Sequence, residues 1–232
     1  MDAVEIKVLS THAVMEVLSD LVSPFERTSG HRLSISYDPA NAIKRQIEDG
    51  AAFDVAIVTK PVIDDLATQG AILPDTRTDI GRSGLGMAVR KGASKPNIGT
   101  PEDFKHALLA AASVVRSKDG TSGLYFETLL KRLGIAQEIR GKTKLGGSGR
   151  IAELVASGEV EMAVQQIPEL LPVAGVDFVG PLPMELQLYT IFSAGIGSAC
   201  KKLEAAKAFV NSLTAPLAVR LFQAKGLEPI HR

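Results

Sequence analysis

The sequence predicts an α/β fold built as two similar lobes. Two observations lead there. Residues 33–58 read as strand, polar loop, helix, turn and buried strand, and the same coarse order recurs in the second half of the chain. The apolar share, 45% against 22% charged, is enough for real cores in a chain of 232 residues, which fits one large domain or two small ones.

Taken in order, Val4 to Leu9 is the first strand, followed by the polar turn Ser10-Thr11-His12. A helix then carries Val14, Val17, Leu18, Leu21, Val22 and Phe25 at helical spacing. Pro24 falls inside it, so a kink or restart capped by Ser23 is expected, with Gly30 as the stop. Leu33, Ile35 and Tyr37 alternate as strand residues do. Pro39 and Asn41 open a loop, Ile43 and Ile47 share a helix face, and Gly50 closes that helix. Phe53 to Val58 is an apolar run suited to a central parallel strand. The loop between strand end and helix start is where open α/β sheets bind ligands, because free N–H groups and the positive helix end meet there.

Pro61 to Gly70 reads as another helix. Gly81 to Arg90 looks like a strand entered through a flexible turn. Thr100-Pro101-Glu102-Asp103 has a threonine cap, an early proline and acids in the first turn, so it starts a helix. A short strand begins at Ser113. The loop Arg116 to Gly123 leads into a helix over Leu124 to Leu133. A second glycine-rich loop, Gly146 to Gly149, leads into a helix over Ile151 to Ala156, and Glu161 to Gln166 is a strand ending in two amides. Val176 to Val179 and Leu186 to Phe192 are further strands. Helices over Leu203 to Leu213 and from Pro216 close the chain.

Formal net charge is zero, which argues against a nucleic-acid surface or a polybasic membrane anchor. The single cysteine, Cys200, excludes an intrachain disulfide, and it reads as a small packed residue. With four histidines and no ligand spacing among them, no metal site and no cofactor are expected.

The segments Ile6-Lys7-Val8-Leu9, Arg45 to Ala51 followed by Phe53 to Ile57, Thr121-Ser122-Gly123-Leu124-Tyr125, and Ala215-Pro216-Leu217-Ala218, in this order and spacing, resemble the periplasmic substrate-binding proteins of ABC transporters. The similarity is to the group that includes the molybdate-binding protein, and an aconitate-isomerase-like branch of the same scaffold is also similar. The resemblance implies a type II periplasmic binding fold. That is two Rossmann-like lobes with a central cleft, joined by two crossing strands. Lobe one would be residues 1–82 plus 185–232 and lobe two residues 83–184, closing by a hinge on the ligand.

Members of the group that bind molybdate use two serine hydroxyls and a tyrosine. Here those positions fall at Ala13, within Pro39-Ala40-Asn41, and at Gln165-Gln166, so a different anion is expected. The candidate ligand groups are Ser10, Thr11, His12, Asn41, Arg82, Ser83, Thr121, Ser122, Gly123, Ser148, Gly149, Arg150, Gln165 and Gln166. Hydroxyls, amides and helix starts can surround an anionic oxygen, Arg82 can take a carboxylate bidentately, and Arg150 adds a guanidinium to its loop, which the helix dipole disfavours unless an anion accompanies it. Arg116 and Lys118 could supply a further cation. Each of these residues has an ordinary structural alternative, as a helix cap or a solvated side chain.

The expected function is capture of a small anion, a di- or tricarboxylate, in an interlobe cleft for ABC-type uptake. One alternative is an isomerase acting on a small unsaturated tricarboxylate, with His12 as the base because its ordinary pKa is near neutrality. A molybdate or oxyanion binder is the other. The partners expected are the anion and an ABC permease, with no nucleic acid, and the chain is expected to be a monomer. Its expected location is the periplasm, with no leader in this chain; the cytoplasm is the alternative.

Overall fold

A computed structural model describes residues 3–147 and 151–230, which divide into two compact units. Unit 1 is Met1–Arg82 with Thr190–Arg232, and unit 2 is Ser83–Tyr189.

Unit 1 contains β1 (Glu5–Ser10), α1 (Met15–Ser29), β2 (Arg32–Tyr37), α2 (Ala40–Glu48), β3 (Val55–Thr59), α3 (Lys60–Thr68) and β4 (Thr78–Ser83). Unit 2 contains β5 (Leu85–Arg90), α4 (Pro101–Ala110), β6 (Val114–Ser117), α5 (Thr121–Arg132), α6 (Ala136–Arg140), β7 (Thr143–Gly146), α7 (Glu153–Ala156), β8 (Met162–Gln166), α8 (Ile167–Leu170) and β9 (Val176–Pro181). The chain then returns to unit 1 as β10 (Thr190–Ile196), α9 (Leu203–Ser212) and α10 (Pro216–Ala224).

The unit 1 sheet has the order β2-β1-β3-β10-β4. β1 runs parallel to β2 and β3, and β10 runs antiparallel to β3. Every residue of β3 is buried, as a strand covered on both faces requires. One face packs Val17, Leu18, Phe209 and Phe222 from α1, α9 and α10; the other packs Ile43, Ile47, Ile63 and Leu66 from α2 and α3. Unit 2 repeats the plan with the order β7-β6-β8-β5-β9. Phe104, Phe126 and Leu129 cover one face, and Ala152, Val155 and Leu170 cover the other.

Several local expectations are corrected. α1 runs unbroken through Pro24, and Ser23 caps nothing. Leu21 and Phe25 on either side of Pro24 are core residues, and their burial offsets the one hydrogen bond that proline removes. The expected strand at Leu186 starts at Thr190 instead. Residues 184–186 form a 3-10 turn whose Leu186 is buried in the unit 2 core. Gln187 fastens that turn to unit 2: its Oε1 accepts from the Leu85 N–H at 2.6 Å and its Nε2 donates to the Leu85 carbonyl at 2.9 Å. The return to unit 1 therefore comes at Thr190 rather than near residue 185. Among expectations that hold, Gly30 ends α1 in the left-handed region at φ +74°, and the Thr100 hydroxyl accepts the Asp103 N–H at 3.1 Å.

Candidate functional site

In unit 1 three parallel strands end side by side, because their register places Ser10 opposite Tyr37 and Ile57. The Thr11 N–H donates to the Ile57 carbonyl at 3.0 Å, and the Asp38 N–H donates to the Ser10 carbonyl at 3.1 Å. These bonds hold the Ser10-Thr11 and Tyr37-Asp38 turns next to the end of β3. Ser10 is fully buried, and its hydroxyl donates to the Thr11 carbonyl at 3.3 Å. Thr11 is 6% exposed, and its Oγ1 has no hydrogen-bond partner among the described residues. A buried hydroxyl left so costs about 1–3 kcal/mol, so an unmet partner is implied at that point.

α2 and α3 begin at these same strand ends. Pro39 and Thr59 are their N-cap residues, and neither makes a side-chain cap. Their first N–H groups are left for another acceptor. Asn41 is the second residue of α2, half-buried, and is not its cap. His12 is half-buried, with its ring 6.2 Å from that of Tyr37. Burial pushes the Tyr37 phenol up, the nearby Glu16 carboxylate adds to this, and a bond with Ser19 opposes it.

Arg82 and Ser83 do not behave as free ligand groups. Arg82 Nε and Nη2 reach the Glu228 carboxylate at 2.8 and 2.6 Å, and the two residues also pair through their backbones. The expected carboxylate clamp already holds a carboxylate of its own chain. Ser83 is buried, and its hydroxyl donates to the Gly84 carbonyl at 2.9 Å.

In unit 2, Thr121, Ser122 and Gly123 form the first turn of α5 rather than a loop before it. Gly120 is the N-cap and supplies no side chain, so this helix start is also uncapped. The turn is tightly built. The Gly120 N–H donates to Ser117 Oγ at 3.0 Å, and a Cβ on Gly123 would collide with the Ser117 carbonyl oxygen. Ser122 is buried.

Gln165 and Gln166 are both buried, but they cannot line one surface. Successive strand side chains point to opposite faces. Val164 packs with α4 and α5, whereas Ala163 packs with α7 and α8. Gln166 therefore shares the face of the α5 start, and Gln165 shares the face of α8, where it bonds the Glu169 carboxyl. Glu169 is partly exposed as a residue, yet its carboxyl is enclosed, and burial pushes it up to about 8. Arg116 donates to the Ser117 carbonyl at 3.0 Å and to Glu127 at 3.1 Å. Ser148, Gly149 and Arg150 lie outside the described residues.

Sequence reasoning missed Tyr37, Thr59 and Ser117 as members of these clusters. A threonine before Lys60-Pro61, at the end of an apolar run, was the available signal for Thr59. Among the described residues no His, Cys, Asp and Glu cluster is arranged to hold a metal ion, and no helix is long and apolar enough to cross a membrane.

The sequence profile of bacterial extracellular solute-binding proteins matches residues 6–228. The chain belongs to this family. It is 31% identical to the aconitate isomerase of a Pseudomonas species over 229 residues, 96% of this chain and 87% of that one. It is 25% identical to the molybdate-binding protein of Azotobacter vinelandii over 236 residues, 97% of this chain and 90% of that one. The solved periplasmic molybdate-binding protein of Azotobacter vinelandii superposes with a TM-score of 0.83 at 20% identity, covering 97% of this chain and 100% of that one. The sulfate-binding protein of Mycobacterium tuberculosis gives 0.79 at 19% identity, covering 98% and 87%. The architecture is the two-lobe type II periplasmic binding fold, and the protein is a bacterial extracellular solute-binding protein.

Proposed function

We propose that the protein binds a small organic anion bearing two or three carboxylates and delivers it, as a periplasmic monomer, to an ABC permease. The observation that carries this reading is the buried Thr11 hydroxyl with no partner, set among the uncapped starts of α2 and α3. In unit 1 the proposed contact groups are Thr11, His12 and Asn41, with Ser10 buried behind them and bonded to the Thr11 carbonyl. In unit 2 they are Thr121, Ser122, Gly123 and Gln166. Neutral hydroxyls, amides and helix N–H groups stabilise an anion without a full counter-charge. Two features favour carboxylates over molybdate. Ala13 and Pro39-Ala40-Asn41 lack the hydroxyls that would surround a tetrahedral oxyanion. The 31% identical relative is named for aconitate, a tricarboxylate.

Calorimetry against di- and tricarboxylates and against molybdate tests this. Carboxylate binding at micromolar Kd, about −8 kcal/mol, is the expected result. Molybdate binding with no carboxylate binding overturns it.

The same relative and the His12–Tyr37 pair favour one second reading, isomerisation of an unsaturated tricarboxylate. His12 would then take a proton from the saturated carbon beside the double bond and return it to the far carbon of the three-carbon allylic unit, so that the double bond moves over by one position, with the N–H groups of the helix starts stabilising the enolate-like charge formed in between. Following trans-aconitate by absorbance, with His12→Ala as control, decides it; no turnover at high protein concentration removes the enzyme.

A further inference from the structure

Unit 1 has a second hollow, at the opposite end of its strands from Ser10-Thr11-His12. Its volume is about 470 Å³. Lys7 lies on its wall and is three residues before Ser10 on β1, roughly 10 Å along the strand. The floor is apolar, made by Ile47, Phe53 and Ala71. Phe53 is fixed in place. Its ring lies against Gly197, where a Cβ would stand 3.1 Å from two ring carbons. The walls are two short loops of small residues, Gly50-Ala51-Ala52 and Ser198-Ala199, whose lack of bulk keeps the hollow open.

Charge is distributed unevenly around it. Lys7, Lys201 and Lys202 line the hollow with one carboxylate, Asp54. Asp54 is buried and satisfied: it accepts the Lys7 N–H at 2.8 Å and the Lys202 ammonium at 3.2 Å. Lys202 also donates to the Glu5 carbonyl at 2.6 Å. Its charge is thus spent within the fold. Lys7 and Lys201 are exposed, and neither ammonium makes an ion pair among the described residues. The hollow offers a flat apolar floor, little side-chain bulk and two unneutralised cations.

We propose that this hollow is a binding site for a small arylcarboxylate, separate from the solute site. The ring stacks over Phe53 between the two small-residue loops, and the carboxylate lies between Lys7 and Lys201.

The test is a proton–nitrogen NMR titration of the full chain with sodium benzoate, beside sodium acetate and benzamide as probes of charge and ring alone. Benzoate is expected to shift the amides of residues 50–54 and 198–202 saturably at millimolar concentration. Acetate and benzamide should each bind at least about tenfold more weakly, a difference of about 1.4 kcal/mol. The double variant Lys7→Ala, Lys201→Ala should weaken benzoate to a similar degree, and Ala52→Phe, which fills the hollow from an exposed loop, should abolish the shifts. Unmoved amides, equal binding of acetate and benzoate, or an unchanged Kd in either variant would overturn the proposal. None of these outcomes bears on the solute site, which is read separately by the carboxylate calorimetry.

Discussion

A methyl group added to Gly123 would stand far inside van der Waals contact distance of the Ser117 carbonyl oxygen, and that oxygen is backbone that cannot turn aside. Gly123→Ala is therefore expected to cost about 3 kcal/mol by overpacking, read as a lower denaturation midpoint, and to disturb the α5 start. Thr11 makes the opposite prediction. Its buried hydroxyl has no partner in the ligand-free chain, so Thr11→Val, of nearly equal shape, should stabilise that chain by about 1 kcal/mol. The same change should weaken solute binding by about tenfold, or about 1.4 kcal/mol. A gain in stability with unchanged affinity would mean that Thr11 does not touch the solute.

The elements are joined by groups whose charge state depends on pH. Glu169, in the first turn of α8, has its carboxyl raised from 4.5 to about 8 by burial, against a weaker opposing bond from Gln165. Between those values the folded chain holds a proton that the unfolded chain releases. Stability from this group is fully present below pH 4.5, falls as pH rises to about 8, and is level above. The slope can reach about 1.4 kcal/mol per pH unit. Glu169→Gln should flatten it, as measured by urea denaturation below, within and above that window.

Asp54 has the reverse sign. Burial alone would push its carboxyl up, but the Lys7 N–H, the Lys202 ammonium and the Cys200 thiol outweigh that and hold it below its ordinary value. Its contribution is present above the ordinary carboxylate range and is lost as pH falls through the lowered value. Lys202→Met leaves the carboxylate buried without a cation and should cost about 2–3 kcal/mol at neutral pH.

At the scale of the whole molecule, each unit is a sheet with an apolar core on both faces, which leaves binding to the loops at the strand ends. A ligand that engages only the folded chain raises its stability by mass action, about 2.7 kcal/mol at a hundredfold excess over Kd. For a chain of this length that corresponds to a rise in Tm of roughly 5–10 °C. A tricarboxylate should produce this rise and molybdate should not; equal shifts with both would point to a site that reads charge alone.

The order of strands and helices was legible from residue spacing, because period and punctuation are local properties. Leu33, Ile35 and Tyr37 alternate whatever the strand pairs with, and Gly30 ends a helix by its own backbone freedom. The helix that follows Pro39 was legible for the same reason, whereas the first turn of α5, Thr121 to Gly123, read as loop because its cap, Gly120, carries no side chain to mark it. What the tertiary structure alone decided was which side chains remain available. Arg82 looks like a free cation in sequence and is bound by Glu228, 146 positions away. Gln165 and Gln166 look like a pair and face opposite cores, because the sheet is covered on both sides. Thr11 looks like a cap, and only the packing of three strand ends buries its hydroxyl without a partner. Local sequence specifies conformation; the supply of unmet hydrogen bonds and charges depends on long-range contacts, which no window of neighbouring residues contains.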